Sequence, residues 1–142
     1  MTLSRIRRCI LTALAATMMT LAPASNASAS AAGYSYWNGG NYKGIPLYSG
    51  QLSSRVSGSG TYVNYVEGSF LSAGNVCNWM VTAEFFDSNG KWYETKHSST
   101  HWGCSKYGAK RVTIGKHVKK GTVCQSLRTN GARITSVCHS IH

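Results

Sequence analysis

Five histidines fall after residue 90: His97, His101, His117, His139 and His142. Imidazole is the side chain best suited to metal ligation and to proton transfer near neutral pH. His97 and His101 are four apart, which on a helix would put both on one face, but the segment Lys-His-Ser-Ser-Thr-His-Trp is poor in helix formers. On a strand the same spacing spans about 13 Å, too far to share one ion. No metal or other cofactor is therefore expected. Nucleophilic catalysis needs a base and an orienting acid around a Ser or Cys. No G-x-S-x-G elbow occurs, the nearest run being Gly58-Ser59-Gly60. The acids are four, Glu67, Glu84, Asp87 and Glu94, a thin supply for the paired carboxylates of glycoside hydrolysis. Glu94, His101, His117 and Arg111 supply the residue types of ribonuclease chemistry, but nothing in their spacing supplies its geometry. The chain reads as non-catalytic.

The cysteines carry a different chemistry. Cys77, Cys104, Cys124 and Cys138 are separated by 26, 19 and 13 residues, not the C-x2-C spacing of a zinc site. Cys9 falls in the leading segment read below as a signal peptide, and the four cysteines that remain, an even number in a small exported chain, read as two disulfides. Three connectivities exist, and sequential pairing, Cys77–Cys104 and Cys124–Cys138, is the expectation.

Charge is uneven along the chain. From Lys91 to His142 there are ten basic residues and one acid, whereas Ser30 to Gly90 is nearly neutral. Lys106, Lys110, Arg111, Lys116, Lys119 and Lys120, with His117 among them, form a candidate anion-binding cluster. Such density attracts anionic polymers weakly and with salt sensitivity. Only Tyr107 is interleaved with these cations, so specific nucleic-acid reading is not expected. Tyr34, Tyr36, Trp37, Tyr42 and Tyr48 crowd a nearly uncharged stretch and form a candidate partner-binding surface.

The elements that must position these residues are strands. Short β-branched and aromatic runs alternate with Gly, Asn and Ser, and no helical period appears after residue 29. Gly33 to Leu52 reads as irregular or short strands, Ser53 to Gly60 as a link, and Thr61 to Val66 as a strand. Val76 to Phe86 alternates with period two, setting Cys77, Trp79, Val81, Ala83 and Phe85 on one face and Thr82 and Glu84 on the other. Lys91 to His97 returns as its partner, with paired residues summing to 179. Arg111 to Ile114 is a further short strand. Asn130-Gly131 between Thr122–Arg128 and Ala132–Val137 is a strong hairpin signal. A two-residue loop there makes pairs summing to 261, but Cys124 and Cys138 sum to 262 and would face opposite ways. A one-residue bulge would bring them together; without one, the pairing would cross between hairpins. The expected fold is all-β, a small disulfide-stabilised sandwich or barrel of six or seven short strands.

The leading residues decide the compartment. Arg5, Arg7 and Arg8 precede an apolar stretch from Cys9 to Ala22, Pro23 ends it, and Ala27-Ser28-Ala29 follows. That order is a secretory signal peptide, with cleavage after Ala29 or Ala31. The organisation expected is a signal peptide over 1–29, an aromatic Gly/Ser-rich N-terminal extension over 30–60, and a disulfide-bonded β domain over 61–142. The mature protein is then extracellular and has no transmembrane segment. Loss of three arginines with the leader leaves twelve Lys and Arg against the four acids.

The C-terminal pattern Cys124-x2-Leu127-x2-Asn130-Gly131-x6-Cys138-x2-Ile141 resembles the ends of small exported actinobacterial proteins. One similar group serves as the adaptor subunit of umbrella toxin particles. That resemblance implies a compact β domain whose N-terminal extension inserts into a lectin-like partner. The function expected is a secreted, non-catalytic binding or adaptor module acting through contact with a secreted protein or a cell-envelope glycan. The alternatives are a cationic antibacterial or envelope-active protein that binds anionic polymers, and a secreted protease inhibitor.

Overall fold

Left-handed turn residues and period-two alternation set where this chain reverses. The computed structural model describes residues 30–142; the signal-peptide expectation lies outside the described residues. Lys43-Gly44 (φ 52° and 83°) and Asn130-Gly131 (φ 46° and 80°) have both central residues at positive φ. That is the primed-turn geometry whose twist matches a hairpin. Lys43-Gly44 joins β2 (Gly40–Tyr42) to β3 (Ile45–Leu47), and Asn130-Gly131 joins β8 (Gly121–Thr129) to β9 (Ala132–Ile141). The other strands are β1 (Ala31–Trp37), β4 (Gly50–Ser59), β5 (Tyr62–Asp87), β6 (Trp92–His97) and β7 (His101–His117). The described residues include no helix, and so none able to cross a membrane.

The all-β expectation holds, as a nearly closed barrel-like sheet with two disulfides. The strands are nine rather than six or seven, and they are not all short. The runs expected as separate strands, Thr61–Val66 and Val76–Phe86, are parts of one 26-residue strand, β5. Its first half pairs with β4 on one edge and β7 on the other, so that Val66 faces both Val56 and Val112. Its second half pairs with β6 and β8, so that Glu84 faces both Thr95 and Cys124. β1 joins the sheet through β4 and β9 through β8, all antiparallel.

A strand this long must bend to close a core. Between Leu71 and Val76, four residues of β5 oppose the single Lys106 of β7. Asn78 then takes φ 47°, a left-handed kink tolerated best by Gly, Asn and Asp. Its side chain accepts a hydrogen bond from the Gly103 N–H (3.0 Å) and donates one to Asn130 (2.9 Å). Across the bend Phe70 meets Trp79 edge to face, with ring centroids 4.9 Å apart. Gly108 opposite leaves room for the Trp79 indole, which any Cβ there would strike. Leu52, Val56, Val66, Val81, Phe85, Val123 and Leu127 fill the interior.

The kink also moves the inward phase by one residue. Trp79, Val81, Ala83 and Phe85 share the buried face as expected, but Cys77 lies before Asn78 and leaves that phase half-buried. It faces Cys104 directly across β7, with Cα atoms 3.9 Å apart. Thr82 and Glu84, expected on an outward face, are also buried, Glu84 because two arginines close over it. The second bridge turns on the register of the last hairpin. Pairs near the turn sum to 261 (Arg128 with Arg133), then shift to 262 from Leu127 with Thr135 onward. That one-residue bulge sets Cys124 opposite Cys138, Cα atoms 4.0 Å apart, so the pairing is sequential.

The segment read as an extension and link, residues 30–60, is strand for much of its length. β1 pairs with β4 from Ala31 to Trp37, and β4 pairs with β5 from Gly50 to Ser59. Leu52, Ser54 and Val56 point inward, a period-two pattern that the Ser and Gly content masks.

Each disulfide closes a loop in the unfolded chain, of 27 residues for Cys77–Cys104 and 14 for Cys124–Cys138. Replacing either pair by serine is expected to lower unfolding free energy by about 2–4 kcal/mol. The longer loop should cost about 0.6 kcal/mol more, as read from denaturant midpoints.

Candidate binding surface

Registers across β1, β4, β5 and β7 place side chains in rows on the outer face of the first half of the sheet. One row runs Tyr36, Gln51, Leu71, Tyr107 and the next Tyr34, Ser53, Ser69, Ala109. Tyr34, Tyr36, Leu71 and Tyr107 are each about two-thirds exposed or more, Tyr107 reaching 74%. Tyr34 and Tyr36 stack edge to face at 5.5 Å. Small polar side chains lie between these apolar ends and leave two shallow hollows of about 580 and 460 Å³, bordered by Tyr36 with Leu71 and by Tyr34 with Ser69. One side of the face is charged: Arg111 lies over the Tyr65 ring at 3.8 Å and ion-pairs with Glu67 at 2.8 Å. Arg55 stands opposite Glu67 on β4.

The five aromatics singled out in the sequence do not share a surface. Alternation along β1 sends Tyr34 and Tyr36 outward and Trp37 into the core, 5% exposed, its Nε1–H donating to the Tyr48 carbonyl (2.6 Å). Tyr42 is half-buried in the short β2–β3 hairpin and donates to the Asn38 carbonyl (3.1 Å). Tyr48 is exposed but rests on the backbone of Gly74. Leu71 and Tyr107 complete the face; in the sequence Tyr107 stood out only as a ring among the cations, and Leu71 was not marked. Leu71 had one signal, an apolar residue out of phase between the inward Phe70 and Ser72.

The six cations expected to form one patch are dispersed as well. Lys106, Lys110, Arg111 and Lys116 lie along β7, where ten residues span about 33 Å. Lys116 is held by Glu94 at 2.8 Å and Arg111 by Glu67. Lys110 donates to Ser99, and Lys119 sits over the Tyr93 ring at 4.9 Å. Among the described residues Lys106 and Lys120 have no ion-pair partner. Lys116 holds the Glu94 carboxyl below its ordinary value, and burial raises the Tyr93 hydroxyl.

The ribonuclease set is not assembled. His101 stacks on Trp79 at one end of β7 and His117 bonds Thr61 at the other. Glu84 is taken by Arg128 and Arg133, and Asp87 accepts the turn N–H groups of Asn89 and Lys91. No group of three His, Cys, Asp or Glu able to hold a metal occurs among the described residues. One histidine is interior. His139 Nε2 lies 2.9 Å from Ser54 Oγ, and Gln125, with its amide oriented to suit its neighbours, donates to the same hydroxyl. Burial holds His139 below its ordinary value.

No protein-family model, no curated protein and no solved structure matches this chain.

Trp37→Ala should cost about 3–5 kcal/mol by opening the core, whereas Tyr36→Ala next to it should stay within about 0.5 kcal/mol. Denaturant unfolding measures both. For His139, a depressed folded-state pKa means the unfolded chain takes up the proton first, so its contribution is complete above 6.5 and is lost as pH falls below it. Melting followed from pH 7.5 to 5 should show this decline in the native protein and a flatter profile in His139→Gln.

Proposed function

We propose that this chain is a secreted, non-catalytic binding module that engages a protein or glycan partner on the outer face of β1, β4, β5 and β7. One observation carries the reading: Tyr34, Tyr36, Leu71 and Tyr107 are all exposed on one face, around small hydroxyl and amide side chains. Large apolar side chains gathered on a surface mark interaction sites, whereas scattered ones need no explanation. A Tyr- and Ser-rich face favours protein, because rigid aromatic contact area and adaptable hydrogen bonding are what protein-binding surfaces combine. The resemblance of the Cys124–Ile141 segment to the ends of small exported actinobacterial proteins, one similar group of which serves as an adaptor subunit, points the same way. Commitment of the acids to ion pairs and a turn supports a non-catalytic role, and two disulfides fit an oxidising compartment.

β1 is paired along its whole length, so contact in this reading is made by the assembled face and not by a donated N-terminal extension. The cationic envelope-active alternative draws on Lys106 and Lys120, which lack acidic partners.

The mature protein, immobilised and exposed to its producer's culture supernatant at moderate salt, should retain a stoichiometric protein. The doubly substituted Tyr34→Ala/Tyr36→Ala protein should lose it by tenfold or more while melting as the native protein does. Retention of polysaccharide in its place would make the partner a glycan. Capture of anionic polymers alone, equal in both proteins and abolished by salt, would replace this reading with the cationic one.

A further inference from the structure

The two primed turns meet at the far end of the molecule. The Lys43-Gly44 tip of β2–β3 and the Asn130-Gly131 tip of β8–β9 border a cavity of about 510 Å³, with Arg128 and Arg133 in its wall. Its polar groups are almost all donors. Asn41 uses its side-chain oxygen to accept the Gly44 N–H (2.6 Å), which leaves its amide NH2. The Tyr42 hydroxyl donates to Asn38, and the Gly131 carbonyl is taken by Arg128 (3.0 Å). Glu84 is the one acid among the described residues in contact with this group. Its side chain is only 8% exposed, with one oxygen bound by Arg128 and the other by Arg133. Lys43, Arg128 and Arg133 against Glu84 leave two uncompensated positive charges.

Arg128 spends its two terminal nitrogens on the Gly131 carbonyl and Glu84, and its Nε is buried away from solvent, so Arg128 acts on a ligand here through its charge. Arg133 spends one nitrogen on Glu84, yet its side chain is half exposed and keeps its other donors available. Lys43 has no partner among the described residues.

We propose that this cavity is an oxyanion site that takes a carboxylate or phosphate group. Guanidinium donors beside a lysine at a turn match the planar or tetrahedral oxygens of such groups. The site lies apart from the aromatic face and stands whether or not that face binds a partner.

The test is a titration of the full mature protein, isotope-labelled for NMR, with inorganic phosphate and separately with galacturonate, chloride holding ionic strength constant. Saturable shifts confined to residues 41–44 and 128–133 are expected. The stronger of the two ligands then identifies the oxyanion. Lys43→Asn, whose side chain suits the left-handed turn position, should weaken binding about tenfold. Lys106→Ala, a cation on β7, should leave it unchanged. Shifts that stay linear into tens of millimolar would mean an adventitious ion only and overturn the proposal. Equal weakening by Lys106→Ala would overturn it too, since attraction would then follow net charge and not this cavity.

Discussion

β5 forms hydrogen bonds along both edges from Tyr62 to Asp87, and every other strand of the main sheet is fixed to it directly or through one neighbour. The rest of the structure depends on where this strand bends. A regular strand would hold β4 and β8 in one open layer with its apolar face wet. The bulge between Leu71 and Val76 and the left-handed Asn78 turn the second half over the first, and Phe70 packs on Trp79 as a result. Cys77–Cys104 lies beside the kink, and Asn78 ties it to Gly103 and Asn130. Bend, bridge and side-chain bonds are thus concentrated in a few residues. This is how the described residues, 30–142, gain order that their modest core could not supply alone.

The two halves are also joined through polar groups in the interior. Ser54 comes from β4, Gln125 from β8 and His139 from β9, and each answers another's hydrogen-bonding capacity. Gln125 reaches the backbone of Glu67 and Gly68 because position 68 has no Cβ to block it. Buried polar groups are costly when unpaired and specific when paired. This network selects one packing of the halves where apolar residues alone would accept several. Ser35 and Thr135 repeat the device between β1 and β9, 2.8 Å apart.

Charge is organised by the same strands. Glu67, Glu84 and Glu94 each sit opposite or near an arginine or lysine from a neighbouring strand, so the acids quench the cations of β7, β8 and β9 locally. A linear count of lysines and arginines therefore overstates any single basic patch. One local excess of positive charge emerges where the fold brings together residues remote in sequence, at Lys43, Arg128 and Arg133.

The sequence by itself determined the β class, the hairpin at Asn130-Gly131 and the 179 register that pairs Thr82 with His97. These are local: turn residues dictate φ, and alternation dictates which face is apolar. It also exposed its own ambiguity at Cys124 and Cys138, which only the bulge resolves. Tertiary structure decided the rest. It joined two strands into one, drew residues 31–37 and 50–59 into the main sheet, sent Trp37 inward from among exposed tyrosines, and set Tyr34 and Tyr36 on the same face as Leu71 and Tyr107. None of that was legible because side-chain neighbours across strands are fixed by register, and register is a property of pairs of strands. A face built from four strands has no signature in any one of them.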